Sequence, residues 1–139
     1  MSLEATRQTM SEYLDALVNR GDFAQFFTDD VHWTTIETGQ EIQGREAVRD
    51  FIVALHTEFF DARPEVRNVA IADGMAALEA DFVGVHTGEF AGIAPTGATV
   101  RSPYCVFYDV GDGGITALRA YMPVAQIVAA LEAAKPAGS

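Results

Sequence analysis

Two carboxylates placed two residues apart, Glu79 and Asp81, are the side chains best suited to acid–base chemistry in this sequence. They fall in residues 75–87, whose alternating polarity predicts a β-strand, and residues two apart on a strand share one face of its sheet. If helices cover that face, the carboxyls lie about 7 Å apart in a poorly hydrated cavity. Both cannot ionise easily there, so one could donate a proton while the other accepts one. If that face is the outer one, they are ordinary solvated charges.

The same alternation on two later predicted strands supplies walls for such a cavity. If the sets of side chains that share a face there also point towards the helices, the cavity is largely apolar with aromatic walls. Such a cavity suits a small hydrophobic, ring-containing ligand. The expected ligand-binding residues are Trp33, Phe51, Leu55, Phe59, Tyr104, Val106, Leu118, Ala120 and Met122.

The remaining chemically active side chains do not point to a metal or a cofactor. The three histidines are far apart in sequence and match no metal-ligand spacing, and no glycine-rich phosphate loop is present. Cys105, the only cysteine, is expected to act as a small hydrophobe within a strand. His86 could serve a ligand, but the favoured interpretation is a structural histidine that bonds a loop backbone. We therefore expect any activity to need neither metal nor cofactor.

Length and charge limit the classes of protein that fit. The chain has 139 residues, enough for one domain, which we place at residues 1–135 with a flexible tail at 136–139. Nine basic residues against twenty acidic ones give a formal charge of −11, which argues against nucleic acid and anionic membranes as partners. The single cysteine, the polar N-terminus and the lack of a long apolar run indicate a cytoplasmic protein.

Hydrophobic periodicity predicts the elements that must position these residues. Helical spacing covers residues 3–18, a short segment at 23–30, residues 44–60 and the residues after 123. Strand-like alternation covers residues 31–38, 65–73, 75–87, 98–110 and 114–122. This order predicts an α+β domain in which the helices pack on the concave face of a curved antiparallel sheet.

One segment between two predicted strands resembles a known family. The sequence HTGEFAGIAPTG, residues 86–97, resembles the H-x-G-x-F-x-G-x-x-P-T-G loop of SnoaL-like polyketide cyclases. The element order also resembles their cone-shaped, nuclear transport factor 2-like fold. The resemblance implies a homodimer, a pocket at the mouth of the cone, and ring closure of a polyketide ester by an intramolecular aldol step without metal or cofactor. The family's acid–base aspartate falls on Ala120 of this sequence.

Limonene epoxide hydrolase, from the superfamily that also contains ketosteroid isomerase, is similar at GREAV (44–48) and ITALRAYMP (115–123). Its Arg-x-Asp pair falls on Glu79 and Asp81, which implies that Asp81 faces the pocket as its principal acid–base group. Three functions stay open: a cofactor-free cyclase or isomerase, an epoxide-hydrolase-like enzyme, and a non-catalytic ligand-binding or accessory protein.

The outer face of the sheet is expected to hold a homodimer together. Phe107 and Cys105 on one strand, with Leu78 and Phe82 on another, would make that face too apolar to leave in water if helices cover the opposite side. We therefore expect two copies of the chain to associate through it.

Overall fold

The computed structural model describes residues 2–135, so the tail expected at 136–139 lies outside the described residues. The helical elements are α1 (Leu3–Val18), a 3-10 turn (Phe23–Phe26), α2 (Arg45–Thr57) and α3 (Val124–Ala133). The strands are β1 (Phe27–Thr35), β2 (Gln40–Gln43), β3 (Phe60–Ala72), β4 (Met75–His86), β5 (Thr99–Gly111) and β6 (Gly114–Tyr121). These elements confirm the predicted α+β architecture.

The described strands form a six-stranded sheet in the order β2-β1-β6-β5-β4-β3. Neighbouring strands run antiparallel except β1 and β6, which pair in parallel. The sheet is therefore mixed, and the expectation of a purely antiparallel sheet is wrong for this pair. Alternating polarity locates a strand, but it does not tell which distant strand lies beside it.

Two element starts and one strand differ most from the sequence prediction. Residues 27–30 start β1 and do not continue a helix, and residues 60–64 start β3 after α2 has ended at Thr57. Pro64 is tolerated in β3 because this strand lies at the edge of the sheet, where a missing N–H leaves no ladder bond broken. The short strand β2 was missed because its residues are polar and nearly all exposed.

The helices cover one face of the sheet, here called the inner face. On β4 the residues of that face are Ala76, Leu78, Ala80 and Phe82, all of them buried. α1 begins as predicted, with the Ser2 hydroxyl oxygen accepting the Ala5 backbone N–H at 3.1 Å. Within residues 2–135, no helix is long and apolar enough to cross a membrane.

Candidate functional site

The strand register decides which side chains of β4 face the helices. Leu78 pairs with Val106 of β5, which pairs in turn with Ala120 of β6, and all three line a cavity on the inner face. Glu79 and Asp81 therefore point to the opposite, outer face, since successive residues alternate. The expectation that these two carboxyls face the cavity is wrong.

Asp81 is nevertheless buried, because two arginines cover it on the outer face. Its Oδ2 accepts hydrogen bonds from Nη2 of Arg67 at 2.9 Å and Nη1 of Arg101 at 3.0 Å, and its side chain is 4% exposed. Glu79 is exposed and accepts a hydrogen bond from the Asn68 side chain at 2.8 Å. The ion pairs explain how a carboxylate can be buried without facing the cavity.

A cavity of about 320 Å³, here called the mouth, opens beside the loop between β4 and β5. The five expected ligand-binding residues in its wall are Trp33, Phe51, Leu55, Phe59 and Met122. The Trp33 ring packs edge-on against Phe51 at 5.3 Å, and its indole N–H donates to the Thr35 hydroxyl at 2.8 Å. The tryptophan is therefore both a core residue and a wall of the mouth.

Behind the mouth lies a narrower space of about 30 Å³, here called the interior, which shares Trp33, Leu55 and Met122 with it. The other expected residues in the wall of the interior are Tyr104, Val106, Leu118 and Ala120. The mouth and the interior are therefore neighbouring cavities, and the two together are here called the funnel. The structure thus brings all nine predicted ligand-binding residues to one funnel, and their binding role stays a prediction.

Three tyrosines supply polar groups to this otherwise apolar interior: Tyr13 from α1, and Tyr104 and Tyr108 from β5. Burial raises the pKa of each hydroxyl above its ordinary value. The Tyr13 and Tyr108 hydroxyls are hydrogen-bonded to each other. All three phenols stay protonated across the physiological range, and because that bond uses one of the three hydroxyl protons, two phenols are left to donate to an oxygen atom.

His56 of α2 also lines the interior, and the sequence analysis did not single it out. Its Nδ1 lies 2.8 Å from the Ile52 carbonyl oxygen. Because a carbonyl only accepts, Nδ1 must carry the proton, which leaves Nε2 with a lone pair. Nε2 is buried and has no hydrogen-bond partner among the described residues. The signal was the four-residue spacing of Val48, Ile52 and His56, which puts the histidine on the buried stripe of α2.

The surroundings of His56 keep its imidazole neutral. Burial lowers its pKa, the hydrogen bond to Ile52 opposes that shift, and the positive charge of Arg20 lowers the pKa further. The ring also borders a second cavity of about 140 Å³, here called the side cavity, to which Arg20 and Arg63 contribute. The imidazole thus lies in the wall that separates the side cavity from the interior.

His86 has a structural role in the loop of residues 87–98. Its Nδ1 accepts the backbone N–H of Thr96 at 3.1 Å, which confirms the favoured interpretation that it bonds the loop backbone. At the other end of the loop, Gly88 lies so close to the residue after α2 that an added Cβ would clash with the Glu58 carbonyl oxygen. These contacts place Phe90 at the mouth of the funnel.

Comparisons with known proteins agree with this geometry. A model of the SnoaL-like polyketide cyclase family matches residues 8–131. A structure from Jannaschia sp. CCS1, assigned as a SnoaL-like polyketide cyclase, gives a TM-score of 0.82 at 21% identity over 94% of this chain and 93% of that one. A structure from Xanthomonas campestris pv. campestris, assigned as a polyketide cyclase, gives a TM-score of 0.77 at 20% identity over 93% of this chain and 98% of that one. A structure from Kribbella flavida, assigned as a ketosteroid isomerase, gives a TM-score of 0.68 at 23% identity over 87% of this chain and 79% of that one. No curated protein matches the chain.

Proposed function

The chain belongs to the SnoaL-like polyketide cyclase family, and we propose that it binds a small, hydrophobic, ring-containing carbonyl compound in the funnel. The observation that carries the proposal is the make-up of that funnel: a mouth lined mainly by aromatic and aliphatic side chains, with Glu89 and three neutral polar residues among them, adjoins an interior whose polar groups include protonated phenols. On this ligand the protein acts as a cofactor-free cyclase or isomerase.

The dimensions of the funnel limit the ligand. A mouth of about 320 Å³ is at the lower end of the range for small-molecule sites. The interior, at about 30 Å³, accepts only one end of the ligand, since this is space for roughly two water molecules. We therefore expect the rings of the ligand to fill the mouth and a polar end to enter the interior.

The tyrosines indicate the chemistry of that polar end. A protonated phenol donates one hydrogen bond, so Tyr104 and one member of the Tyr13–Tyr108 pair suit an oxygen acceptor such as a ketone. The same donors stabilise the negative charge that develops on a carbonyl oxygen when an adjacent proton is removed. Relatives of this fold are assigned as polyketide cyclases and as a ketosteroid isomerase, names that both refer to ketone substrates.

A second function, ligand binding without catalysis, is favoured by one observation. Ala120 stands in the wall of the interior where the resemblance places the family's aspartate, and the described residues that line the interior include no carboxylate. The epoxide-hydrolase interpretation is not carried forward, because it needs carboxylates in the cavity and Asp81 lies on the outer face. Binding experiments test the shared part of the two functions, and turnover separates them.

The proposal includes a homodimer formed through the outer face of the sheet. Phe107 and Tyr121 pack together there with ring centroids 5.9 Å apart, and Tyr121 is 48% exposed. The predicted contribution of Leu78 and Phe82 is wrong, since both are buried on the inner face and line the interior. The dimer is therefore proposed on the aromatic pair and its neighbour Cys105.

Intrinsic fluorescence tests the binding proposal, because Trp33 is the only tryptophan and lies in the funnel wall. The probe is 2-tetralone, a small fused-ring ketone, with tetralin as the matched hydrocarbon without the oxygen. We expect saturable quenching by 2-tetralone, weaker binding of tetralin, and loss of that difference in Tyr13→Phe, which keeps the ring and removes the hydroxyl.

A pair of phenylalanine variants locates the binding site. Phe59→Ala removes an aromatic wall of the mouth and is expected to weaken 2-tetralone binding about tenfold. Phe26→Ala serves as the control, since Phe26 is a half-buried core residue that contributes to none of the described cavities. Absence of saturable quenching, or equal weakening in both variants, would contradict the proposed site.

A further inference from the structure

We propose that Nε2 of His56 is the proton acceptor of the funnel, which removes a proton from the carbon beside the ligand carbonyl. The inference rests on the proposed function and adds to it a reacting group that neither the family motif nor the sequence analysis supplied. It replaces the missing aspartate with a neutral base on a different element, α2.

The geometry of the imidazole is that of a fixed base. Nδ1 donates to the Ile52 carbonyl oxygen at 2.8 Å, so both the tautomer and the ring orientation are set by the helix itself. The ring packs edge-on against Phe82 at 5.5 Å, which holds its other side. Nε2 is buried, and no described residue donates to it. A buried acceptor without a donor costs free energy, and a ligand proton at Nε2 would recover it; among the described residues, Nε2 is the one such atom in a residue that lines the interior, since the others are in Asp81 and His86.

Among the described residues that line the interior, His56 is the one side chain that can accept a proton at neutral pH. Tyr13 of α1 and Tyr104 and Tyr108 of β5 are protonated donors, and no carboxylate borders the ring in the interior or the side cavity. On the side cavity, Arg20 after α1 and Arg63 of β3 are permanently charged, and Arg20 is paired with Asp61 at 2.9 Å.

The proton transfer balances without any further reactant. The lone pair of Nε2 takes the proton from the carbon beside the carbonyl, the C–H bond pair forms the carbon–carbon double bond of an enolate, and the carbonyl π pair moves to the oxygen. Tyrosine hydroxyls donate to that oxygen. The imidazolium then returns its proton, either to another carbon, which isomerises the ligand, or to the alkoxide formed when the enolate carbon attacks a second carbonyl of the same molecule.

Proton exchange on the binding probe measures this step without the natural substrate. 2-Tetralone is dissolved in D₂O with the protein, and loss of its C1 proton signal is followed by NMR above the rate without protein. We expect acceleration by the wild-type chain and at least a roughly 100-fold loss of it in His56→Gln. The Trp33 quenching curve of that variant is expected to stay within about twofold of wild type, because Gln keeps a similar volume.

The matched control is His32→Gln, the same change at a half-exposed histidine on the outer face of β1, whose Nε2 lies 3.4 Å from Glu41. This variant is expected to keep the wild-type exchange rate. If 2-tetralone binds but the wild-type chain does not accelerate exchange, or if His56→Gln exchanges as fast as wild type, the role of His56 is wrong while the binding proposal stands. If 2-tetralone does not bind, the proposed function itself fails.

The pH dependence of the wild-type rate gives a second measurement that does not need a variant. Exchange requires neutral His56, so its rate should fall through a single ionisation as the pH decreases, at a value below that of an ordinary histidine. The facing tyrosines stay protonated over that interval, and the other facing ionisable groups are guanidinium groups, which in general keep their proton in proteins. A flat profile, or one with the ionisation of an ordinary carboxyl, would overturn the assignment even if His56→Gln failed to fold.

Discussion

The two faces of the sheet carry opposite kinds of polar groups, although they alternate along the same strands. On the outer face, Asp81 and Asp109 are ion-paired with Arg101 and Arg119 respectively. On the inner side, the titratable groups that line the interior are tyrosine phenols and the imidazole of His56 on α2. The difference teaches that the ion-paired charges of the sheet serve the fold, whereas chemistry in the interior must be done by neutral side chains, since the carboxylate of Glu89 lines the mouth and not the interior.

The largest expected effect comes from moving a charge across the sheet. Ala76 and Ala77 are adjacent on β4, but Ala76 is buried on the inner face and Ala77 is half-buried on the outer one. We expect Ala76→Asp to lose about 4 kcal/mol or more of unfolding free energy, because an unpaired carboxylate enters the core. Ala77→Asp should lose about 1 kcal/mol. Urea unfolding at one protein concentration measures both, and similar losses would contradict the assignment of faces.

Asp81 is expected to matter for stability and not for the ligand. Asp81→Asn removes the negative charge of the carboxylate that accepts hydrogen bonds from Arg67 and Arg101. Because both arginines are more than half exposed, solvent screens these ion pairs, and the change should cost about 2 kcal/mol of unfolding free energy. Glu79→Gln, a matched change on the exposed neighbour, should cost little. Both variants should bind 2-tetralone as the wild type does. If folded Asp81→Asn lost binding or proton exchange, the carboxylate would have a role in the site and its assignment to stability alone would be wrong.

The aromatic pair of the outer face should control assembly. Tyr121→Asp places a carboxylate in the proposed interface and is expected to reduce the molar mass in multi-angle light scattering from that of a dimer to that of a monomer. Val18→Asp, at a residue exposed at the end of α1, is the control and should stay dimeric. A wild-type chain that is monomeric at all concentrations would contradict the proposed dimer.

The smallest expected effect is on the pH dependence of stability. Since burial lowers the pKa of His56 in the folded chain, the unfolded chain binds a proton more readily below about pH 6.5. Stability therefore falls as the pH decreases through that range and is fully present above it. His56→Gln should remove this part of the pH dependence between about pH 8 and about pH 5. Unchanged pH dependence in the variant would show that the imidazole is not buried neutral.

The walls of the funnel, Tyr104 included, could be predicted from the sequence, whereas Tyr13 and His56 could not. On β5 and β6, the alternation of side chains correctly grouped Tyr104 with Val106 and Leu118 with Ala120, because residues two apart must share a face. On β4, alternation allowed either of two sets of side chains to face the helices, and the predicted set, with Glu79 and Asp81, is wrong. Leu78 and Phe82 face the helices, and Asp81 is buried by arginines from other strands, a contact that depends on strand pairing.

The reason His56 was missed is also physical. The resemblance directs attention to the end of β6, where Ala120 stands, while His56 lies on a helix with no motif around it. Its importance comes from burial and from the hydrogen bond that frees Nε2, both of which are properties of the folded chain. The spacing from Val48 and Ile52 indicated the buried stripe but not a base.

The most direct test of a neutral base in the funnel is ¹⁵N NMR of histidine-labelled protein, titrated with 2-tetralone at neutral pH. The account predicts that His56 is neutral there, with its proton on Nδ1, and that the Nε2 resonance shifts as the ketone binds while the resonances of His32 do not. A protonated His56 at that pH, or a His56 whose resonances ignore a ketone that quenches Trp33, would contradict it.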